Sequence, residues 1–277
     1  AEGWRCPACG ASPAVEDGIV LFAPGLAHEN AGLGEADFAR LHQVEERHFW
    51  FRSRARLLAW MTGRHFPAAR DLLEIGCGTG YVLSLLRQAY PSLVLAGSDA
   101  HLAGLRHARA RLPDARLYQM DARHIPFAES FDLIGAFDVL EHIEEDEEAL
   151  HQMHRALRPG GGLLVTVPQH PWLWGTFDEL AHHRRRYRRA ELAAKLNRAG
   201  FDLVDATSFV ALLLPLLWLT RITERKARAA SELQEYRISS LANAVLGLAL
   251  GVERWLIRHG VRFPAGGSLL VAARKRG

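Results

Sequence analysis

The sequence has few cysteines and no hydrophobic run long enough to span a bilayer, and both shortages limit what it can be. Three cysteines in 277 residues, Cys6, Cys9 and Cys77, are too few for a disulfide framework. No signal-peptide pattern opens the sequence, so we expect a cytoplasmic, reducing location. The longest apolar runs, residues 209–219 and 241–252, fall short of the roughly 20 residues that a membrane-spanning helix needs.

Excess charge of one sign is also missing. The formal net charge is +3, so overall charge does not indicate a nucleic-acid partner. Basic residues are nevertheless dense at residues 182–189 and 221–228. The first run precedes a predicted helix, whose dipole disfavours cations at that end. This predicts an anionic acceptor or, as the alternative, an ordinary solvated surface.

Strand and helix signals alternate through the middle of the sequence. Five apolar segments, LLEIG, LVLAGSD, ARLYQMD, FDLIGAFD and GLLVTVP, are separated by helical patterns. This order predicts an α/β fold with a doubly wound, mostly parallel sheet. Residues 1–24 form a short stub that contains CPAC, and residues 25–70 form a helical extension that covers the sheet. Residues 71–277 form the main domain, with an apolar and basic helical insertion at about 211–263 before the last strand.

Three glycines lie where the first of these strands gives way to a helix. Gly76, Gly78 and Gly80 permit a tight turn and a close approach of a ligand to the backbone. Their spacing, G-x-G-x-G, fits NAD less well than the dinucleotide pattern G-x-G-x-x-G. Asp99 ends the next strand about 20 residues later, where a carboxylate can hold ribose hydroxyls, and Asp121 ends the third strand.

The segments LEIGCGTG, SD, MDARHIPF, FDLIGAFDVLEHI and LRPGGGLLVTVP stand in one order along the chain. In that order they resemble the class I S-adenosylmethionine-dependent methyltransferases. The resemblance implies a Rossmann-like sheet of seven strands with an antiparallel last strand, and S-adenosyl-L-methionine as the cofactor. The residues that it implies for the cofactor site are Glu74, Gly76, Cys77, Gly78, Gly80, Asp99, Ala100, Asp121, Ala122, Phe137 and Asp138.

Histidines in two segments are candidates for the chemistry. His142 lies in DVLEH after the fourth strand, and His182 and His183 lie in the loop AHHRRRY after the fifth. Methyl transfer to a hydroxyl needs a base to remove the proton, and each of the three could supply it. The sequence therefore predicts O-methylation of a small-molecule or lipid-linked acceptor, with N-methylation of a small molecule as an alternative.

The DVLEH turn also has a metal interpretation. Asp138, Glu141, His142 and His183 could hold a divalent ion. The set is similar to the E-x-x-E-H motif and later histidine of ubiquinone-pathway and small-RNA 2′-O-methyltransferases, although Asp138 is one methylene shorter than the glutamate there. Metal-dependent methylation of an RNA terminus is thus a further alternative. Because no RNA-binding module is recognisable, nucleic acid is not the favoured acceptor.

Several segments outside the cofactor motifs have two interpretations each. Phe49, Trp50, Arg52 and Tyr187 are candidates for contacting the acceptor, or for packing in the covering helix and loop. CPAC is only half of a zinc ribbon, so zinc at Cys6 and Cys9 is not expected.

The stretch 209–228 predicts either peripheral contact with a membrane or packing against the sheet edge or a second subunit. A membrane-associated scaffold that keeps the fold without catalysis is the alternative outside the enzyme class.

Overall fold

The computed structural model describes residues 5, 10, 12–27, 35–224 and 238–277, without the side chains of residues 221–224. Cys6 and Cys9 lie outside the described residues. Among the described residues, the strands are β1 (Ala14–Glu16), β2 (Ile19–Leu21), β3 (Asp71–Ile75), β4 (Val94–Asp99), β5 (Arg116–Gln119), β6 (Phe131–Phe137), β7 (Leu157–Pro168), β8 (Phe201–Phe209) and β9 (Ser268–Lys275). The α-helices are α1 (Glu35–Val44), α2 (Phe49–His65), α3 (Tyr81–Ala89), α4 (Leu102–Arg111), α5 (Asp146–Ala156), α6 (Thr176–Leu180), α7 (Arg189–Arg198), α8 (Leu214–Glu224) and α9 (Ser240–Arg258).

The described strands form one sheet in the order β1-β2-β5-β4-β3-β6-β7-β9-β8. Strands β3 to β7 pair in parallel with their neighbours, and β9 is antiparallel to both β7 and β8. The predicted α/β sheet with an antiparallel last strand is confirmed. Strands β3 to β9 supply the seven predicted strands, and the hairpin β1–β2 extends the sheet to nine by pairing β2 in parallel with β5.

The inner strands are apolar on both faces because helices cover both sides of the sheet. In β3, Leu72 faces one hydrophobic cluster while Leu73 and Ile75 face the other. Leu133 and Ile134 of β6 divide in the same way. This alternation holds the strands in register and brings their carboxyl ends to one edge of the sheet.

Two helices lead into the domain from the N-terminal side. The extension predicted at residues 25–70 contains α1 and α2, which are separated at residues 45–48. His48 begins α2, since its Nδ1 accepts the Trp50 N–H at 3.3 Å. The insertion predicted before the last strand contains α8 and α9 in its described part, and α9 packs along α2. The helices of both segments lie beside the carboxyl edge of the sheet.

Candidate functional site

A cavity of ≈ 950 Å³ opens at the carboxyl ends of β3, β4 and β6, between the sheet and the helices α1 and α2. This is the edge where open α/β sheets bind ligands. Except for Gly80, every residue that the sequence predicts for the cofactor lines this one cavity. Phe49, Trp50, His142 and His183 line it too, so the structure brings the cofactor candidates and two candidate bases together.

The turn after β3 requires glycine for steric reasons. Gly76 has a φ of +68°, and a Cβ at this position would lie 2.4 Å from Cγ2 of Val139. Gly80 has a φ of +74° and would place its Cβ 3.1 Å from the Ala108 Cα of α4. Gly80 therefore allows close helix packing without lining the cavity, whereas Gly76 keeps the cavity floor open.

Asp99 fixes the glycine turn from the neighbouring strand. Its carboxylate accepts the Gly78 N–H and the His101 N–H, each at 2.9 Å. Burial raises the pKa of Asp99, and these backbone bonds oppose the rise. The carboxylate of Asp99 is thus held in place before any ligand binds, and it lines the cavity.

Glu74 is a buried acid that lacks a complete set of partners. Its side chain is 2% exposed, and among the described residues its Oε2 has no hydrogen-bond partner. Burial raises the pKa of Glu74 to about 8, while Arg54 opposes the rise and Asp99 adds to it. An unpaired buried carboxylate destabilises a protein, and a cationic ligand would relieve it. This orphaned oxygen fits S-adenosylmethionine, whose methionine end carries cationic groups.

Asp121 follows β5 at the third strand end. Arg123 donates to its carboxylate from the backbone at 2.8 Å and from Nε at 3.0 Å. Burial alone would raise the pKa of Asp121, but the bonds from Arg123 lower it below the usual range. The carboxylate is therefore an acceptor, and it lies beside the cavity-lining Ala122.

Arg54 is the arginine of α2 that reaches the cavity. Its Nη1 contacts the carboxylate of Asp138, and its guanidinium lies 4.6 Å from the centre of the Trp50 ring. Asp138 adopts a φ of +57°, a conformation that costs energy and turns its side chain into the site. Arg52, by contrast, is exposed and does not line the cavity. Since Phe51 and Leu58 mark the buried face of α2, helical spacing could have identified Arg54.

A second set of contacts ties the covering helices to the glycine turn. Glu45 is 4% exposed, and it accepts the Thr79 hydroxyl at 2.7 Å and Arg111 Nη1 at 2.6 Å. Arg111 Nη1 also donates to the Thr79 carbonyl at 2.9 Å. No local sequence signal marks this set, because its members lie on α4, on the glycine turn and after α1.

His183 belongs to a buried hydrogen-bonded pair. Its Nδ1 lies 2.8 Å from the Asp178 carboxylate, which also accepts Arg186 Nε at 2.7 Å and the Gly175 N–H at 2.8 Å. Burial would raise the pKa of Asp178, but the bonds from His183 and Arg186 lower it. Because an ionised carboxylate only accepts, Nδ1 of His183 holds the hydrogen of this bond, and in the neutral imidazole the lone pair is therefore on Nε2.

The other two histidines differ in their access to the cavity. The rings of His142 and His183 are 4.8 Å apart, centre to centre. Although the His142 ring is exposed to the cavity, burial by the surrounding protein, together with His183 and His182, lowers its pKa to about 4. His142 is therefore uncharged near pH 7. His182 is exposed and does not line the cavity, so it is not placed to act on a ligand there.

The candidate metal ligands come together only in part. Glu141, His142 and His183 each offer one ligand atom, and these atoms lie within 4.8 Å of one another. Glu141 is fully buried, and neither of its carboxylate oxygens has a hydrogen-bond partner among the described residues. Burial, with a contribution from Asp138, raises its pKa well above the ordinary value. Asp138 itself is paired with Arg54 and does not belong to the cluster.

Tyr187 and two arginines of the basic run, Arg185 and Arg186, make contacts in the protein interior. The Tyr187 side chain is fully buried, and its hydroxyl donates to Asp146 at 2.7 Å, so it is not placed to contact an acceptor. Arg185 Nη1 lies 3.3 Å from Asp146 as well, and Arg186 is bound to Asp178. The protein's own acids thus supply anions for Arg185 and Arg186, whereas Arg184 is exposed and lines the cavity, so an anionic acceptor stays a prediction.

One end of the cavity is apolar. Leu216 and Leu217 of α8 line it together with the preceding Leu213, Leu246 of α9 and Phe49 of α2. The cavity therefore joins a polar region at the strand ends to an apolar region under the insertion. It is large enough for a nucleoside cofactor and a second molecule with an apolar body.

Comparisons with known proteins agree with this geometry. A family model for a methyltransferase domain matches residues 41–206. A probable S-adenosylmethionine-dependent methyltransferase of Mycolicibacterium smegmatis is 31% identical over 58% of this chain and 63% of its own length. A trans-aconitate 2-methyltransferase of an Azoarcus species is 33% identical over 53% of this chain and 62% of its own length. The chain thus spans less than two thirds of either relative.

Solved structures share the fold at lower identity. Phosphoethanolamine N-methyltransferase 2 of Haemonchus contortus, in complex with S-adenosylhomocysteine and phosphomonomethylethanolamine, gives a TM-score of 0.59 at 19% identity. The match covers 91% of this chain and 60% of that one. The [4+2]-cyclase SpnF gives 0.54 at 20% identity and covers 82% of each chain. Because the same fold occurs in proteins named for different reactions, the acceptor has to be argued from the site.

Proposed function

The chain belongs to the methyltransferase-domain family, and from this premise we propose that it transfers the methyl group of S-adenosylmethionine to a hydroxyl oxygen. The acceptor that we propose is a small or lipid-linked molecule with an apolar body. One observation supports this proposal above the others. His183, which the buried Asp178 holds by a hydrogen bond, lines the same cavity as the glycine turn and Asp99, so a base and the cofactor cradle share one space.

Residues of β3, β4 and β5 would hold the cofactor. Asp99 would accept the ribose hydroxyls, while Asp121 and Ala122 would lie at the adenine. Glu74 would face the cationic methionine end, because its Oε2 is buried and unpartnered. When bound, S-adenosylmethionine supplies an electrophilic methyl group on a sulfonium.

His183 would act as the general base. Asp178 holds the imidazole by Nδ1, so Nε2 is free to accept the proton of an acceptor hydroxyl. The negative charge of Asp178 stabilises the imidazolium that forms, as carboxylates do in other acid–base pairs. Arg186 and Gly175 fix Asp178 in turn, so the base is oriented before the acceptor binds.

The apolar end of the cavity supports an acceptor with a hydrocarbon portion. A hydroxyl at His183 would leave the rest of the molecule to extend past Phe49 toward Leu216 and Leu246. Burial of such a portion contributes roughly 25 cal/mol per Å² of apolar surface. Recognition of this kind requires little charge. Of the two arginines in this loop that line the cavity, Arg186 is paired with Asp178 and Arg184 lies 3.8 Å from Glu144.

Label transfer tests this function. The protein is incubated with methyl-labelled S-adenosylmethionine and, in separate reactions, with lipid and water-soluble fractions of cell extract. We expect the label in a lipid-extractable product whose methyl group NMR assigns to an O-methyl. Label on nitrogen, label in RNA, or no transfer to any fraction would each contradict the proposal.

Glu74 should make cofactor binding depend on pH. Since its pKa is raised to about 8, the free protein keeps this carboxyl protonated near pH 7. A cationic ligand favours the ionised form, so the affinity for the cofactor should rise with pH toward about 8, and Glu74→Gln should flatten that rise.

The raised pKa of Glu74 should also make the stability of the cofactor-free protein depend on pH, because the folded state keeps a proton that the unfolded state loses above about pH 4.5. The free energy of unfolding of the cofactor-free protein should fall as the pH rises from about 4.5 to about 8.

Calorimetry across this pH range measures the first effect, and thermal melting measures the second. Glu46→Gln is a matched control, since Glu46 is an exposed acid on the covering segment. A Glu74→Gln variant with the pH profile of the wild type would show that another group titrates in the site.

A divalent cation at Glu141, His142 and His183 is the second candidate for activating the acceptor. The observation that favours it is the pair of unpartnered, buried Glu141 oxygens close to two imidazoles. One carboxylate and two histidines suit several divalent transition metals. These residues would hold the ion, which would supply Lewis acidity at the acceptor oxygen.

Chelation distinguishes the two candidates. With a histidine base alone, EDTA should leave the rate unchanged. Glu141→Gln should also keep the rate near that of the wild type, because neither carboxylate oxygen of Glu141 has a hydrogen-bond partner to lose among the described residues. Metal-assisted transfer requires the opposite: loss of activity with EDTA, recovery with one added metal, and loss with Glu141→Gln. Glu144→Gln, an exposed neighbour, is the matched control.

A further inference from the structure

The outer face of α9 is an exposed apolar stripe. Leu241, Val245, Leu248, Val252 and Trp255 are spaced three or four residues apart, which places them on one side of the helix. Their side chains are between 46% and 76% exposed. We call these five residues the α9 stripe. A continuous exposed stripe of this length indicates an interaction surface.

The opposite face of α9 is attached to the domain. Leu250, Glu253 and Ile257 are buried, and the Glu253 carboxylate accepts the Leu212 N–H at 2.9 Å. The Asn243 side chain accepts the Phe49 N–H at 2.8 Å. The sequence shows only the apolar run 241–252 here, but the whole of α9 is longer, and among the described helices it alone is long and apolar enough to cross a membrane. The contacts above nevertheless hold it along the protein surface.

Four arginines lie to one side of the α9 stripe, where α9 packs against α2. Arg52 and Arg56 lie one helical turn apart on α2, and Arg254 and Arg258 lie one turn apart on α9. Burial and then the charges of Arg56, Arg258 and Arg52 lower the pKa of Arg254, so these cations lie within electrostatic range of one another. Within the described part of the chain, none of the four has an acid as an ion-pair partner. We call this set the arginine cluster.

We propose that the α9 stripe and the arginine cluster dock the protein onto an anionic lipid bilayer, with α9 lying in the plane of the interface. Apolar side chains would enter the boundary between headgroups and acyl chains, and the arginines would pair with lipid phosphates. Arginine suits this role because its stem can lie on apolar surface while its guanidinium reaches the phosphate.

The charge of the arginine cluster favours a lipid bilayer over a second copy of the chain as the partner that binds the α9 stripe. A twofold interface through α9 would bring two identical patches together, and with them two unpaired arginine clusters. An anionic surface satisfies the same charges. Membrane contact was predicted from the sequence at residues 209–228, whereas the described structure has its longer exposed stripe on α9; residues 225–237 lie outside the described part.

The docking surface adjoins the cavity. Leu246, between Val245 and Leu248 of the stripe, turns inward and lines the apolar end of the cavity with Leu216 of α8. A bilayer on the α9 stripe would therefore lie next to that end. The docking inference rests on exposure and charge, and it holds whether or not the acceptor is a lipid.

Vesicle sedimentation with the full chain tests the proposal. We expect partition into phosphatidylcholine vesicles that contain about one third phosphatidylglycerol, weak partition into pure phosphatidylcholine, and release by salt. Removing two charges with Arg56→Gln and Arg258→Gln should lower the partition coefficient about twentyfold or more. The matched control is Arg116→Gln with Arg188→Gln, two exposed arginines outside the cluster. Leu241→Gln, Val245→Gln and Leu248→Gln together should lower it at least about tenfold, against Val94→Gln as the control.

Circular dichroism melting of each variant establishes that it is folded, and light scattering gives the oligomeric state. Three results would overturn the proposal: no partition of the wild type into anionic vesicles, partition that the triple glutamine variant retains in full, or a wild-type dimer in solution that this variant converts to a monomer.

Discussion

Replacing His183 by alanine should lower kcat for methyl transfer by a factor of about 10² to 10⁴, the range typical for loss of a general base. The structure gives His183 a fixed tautomer through Asp178 and places it in the wall of the cavity. Affinity for S-adenosylmethionine should change little, because the residues that we assign to the cofactor lie at the ends of β3, β4 and β5. Stopped assays with labelled cofactor measure the rate, and calorimetry measures the affinity.

The adjacent histidine provides a matched control. His182 is exposed and lies outside the cavity, so His182→Ala should keep a rate close to that of the wild type. Asp178→Asn should lower kcat as well, since an amide can donate to Nδ1 and so favour the wrong tautomer. Equal losses in His182→Ala and His183→Ala would indicate that the loop as a whole matters and that His183 is not the base.

Asp99→Ala should weaken binding of S-adenosylmethionine by about two to three orders of magnitude. Each hydrogen bond to a charged group contributes about 1.5–3 kcal/mol, and this carboxylate would make such bonds to the ribose. The variant also loses the bond that holds the Gly78 N–H in the glycine turn. Both losses act on the same ligand, so calorimetry should detect the effect without any acceptor present.

The control for Asp99 is a surface acid of the same type. Asp114 has a side chain 86% exposed, and its ion pair within the described residues is a 3.8 Å contact with Arg87. Asp114→Ala should leave the affinity unchanged. An Asp99→Ala variant that is folded and binds the cofactor as tightly as the wild type would place the ribose elsewhere.

The cofactor side of the cavity could be predicted because its signals are local. Gly76, Gly78 and Asp99 each stand at a strand end, and parallel strands bring their carboxyl ends to one edge. A pattern of short segments therefore determines which residues meet. Only Gly80 does not line the cavity, because packing against α4 accounts for that glycine.

The residues on the acceptor side were harder to predict. Their roles depend on which face of a helix is buried and on hydrogen bonds between residues that no sequence motif connects. Only one residue separates Arg52 from Arg54, yet only Arg54 of the two faces inward, since α2 buries the face of Phe51 and Leu58. His182 and His183 also face different ways, because His183 is hydrogen-bonded to Asp178 and lines the cavity, whereas His182 does not line it. A carboxylate five residues before a histidine pair is not itself a motif, so the sequence left both histidines open.

The basic loop at residues 182–189 shows a second reason why contacts could not be predicted from the sequence. Cations at a helix start predict an external anion only if the protein does not supply one. Asp146 of α5 and Asp178 of α6 supply it for Arg185 and Arg186, and neither pairing follows from local spacing. Interior ion pairs between separate elements depend on the tertiary fold.

A crystal structure of the protein with S-adenosylhomocysteine would test the central claim most directly. We expect the nucleoside along the glycine turn, with its ribose at Asp99, its adenine beside Ala122 and its sulfur directed toward His183. The space beyond sulfur should be ringed by Phe49, His142 and His183. A cavity that stays empty at saturating ligand, or a nucleoside bound with its sulfur facing away from His183, would contradict this account.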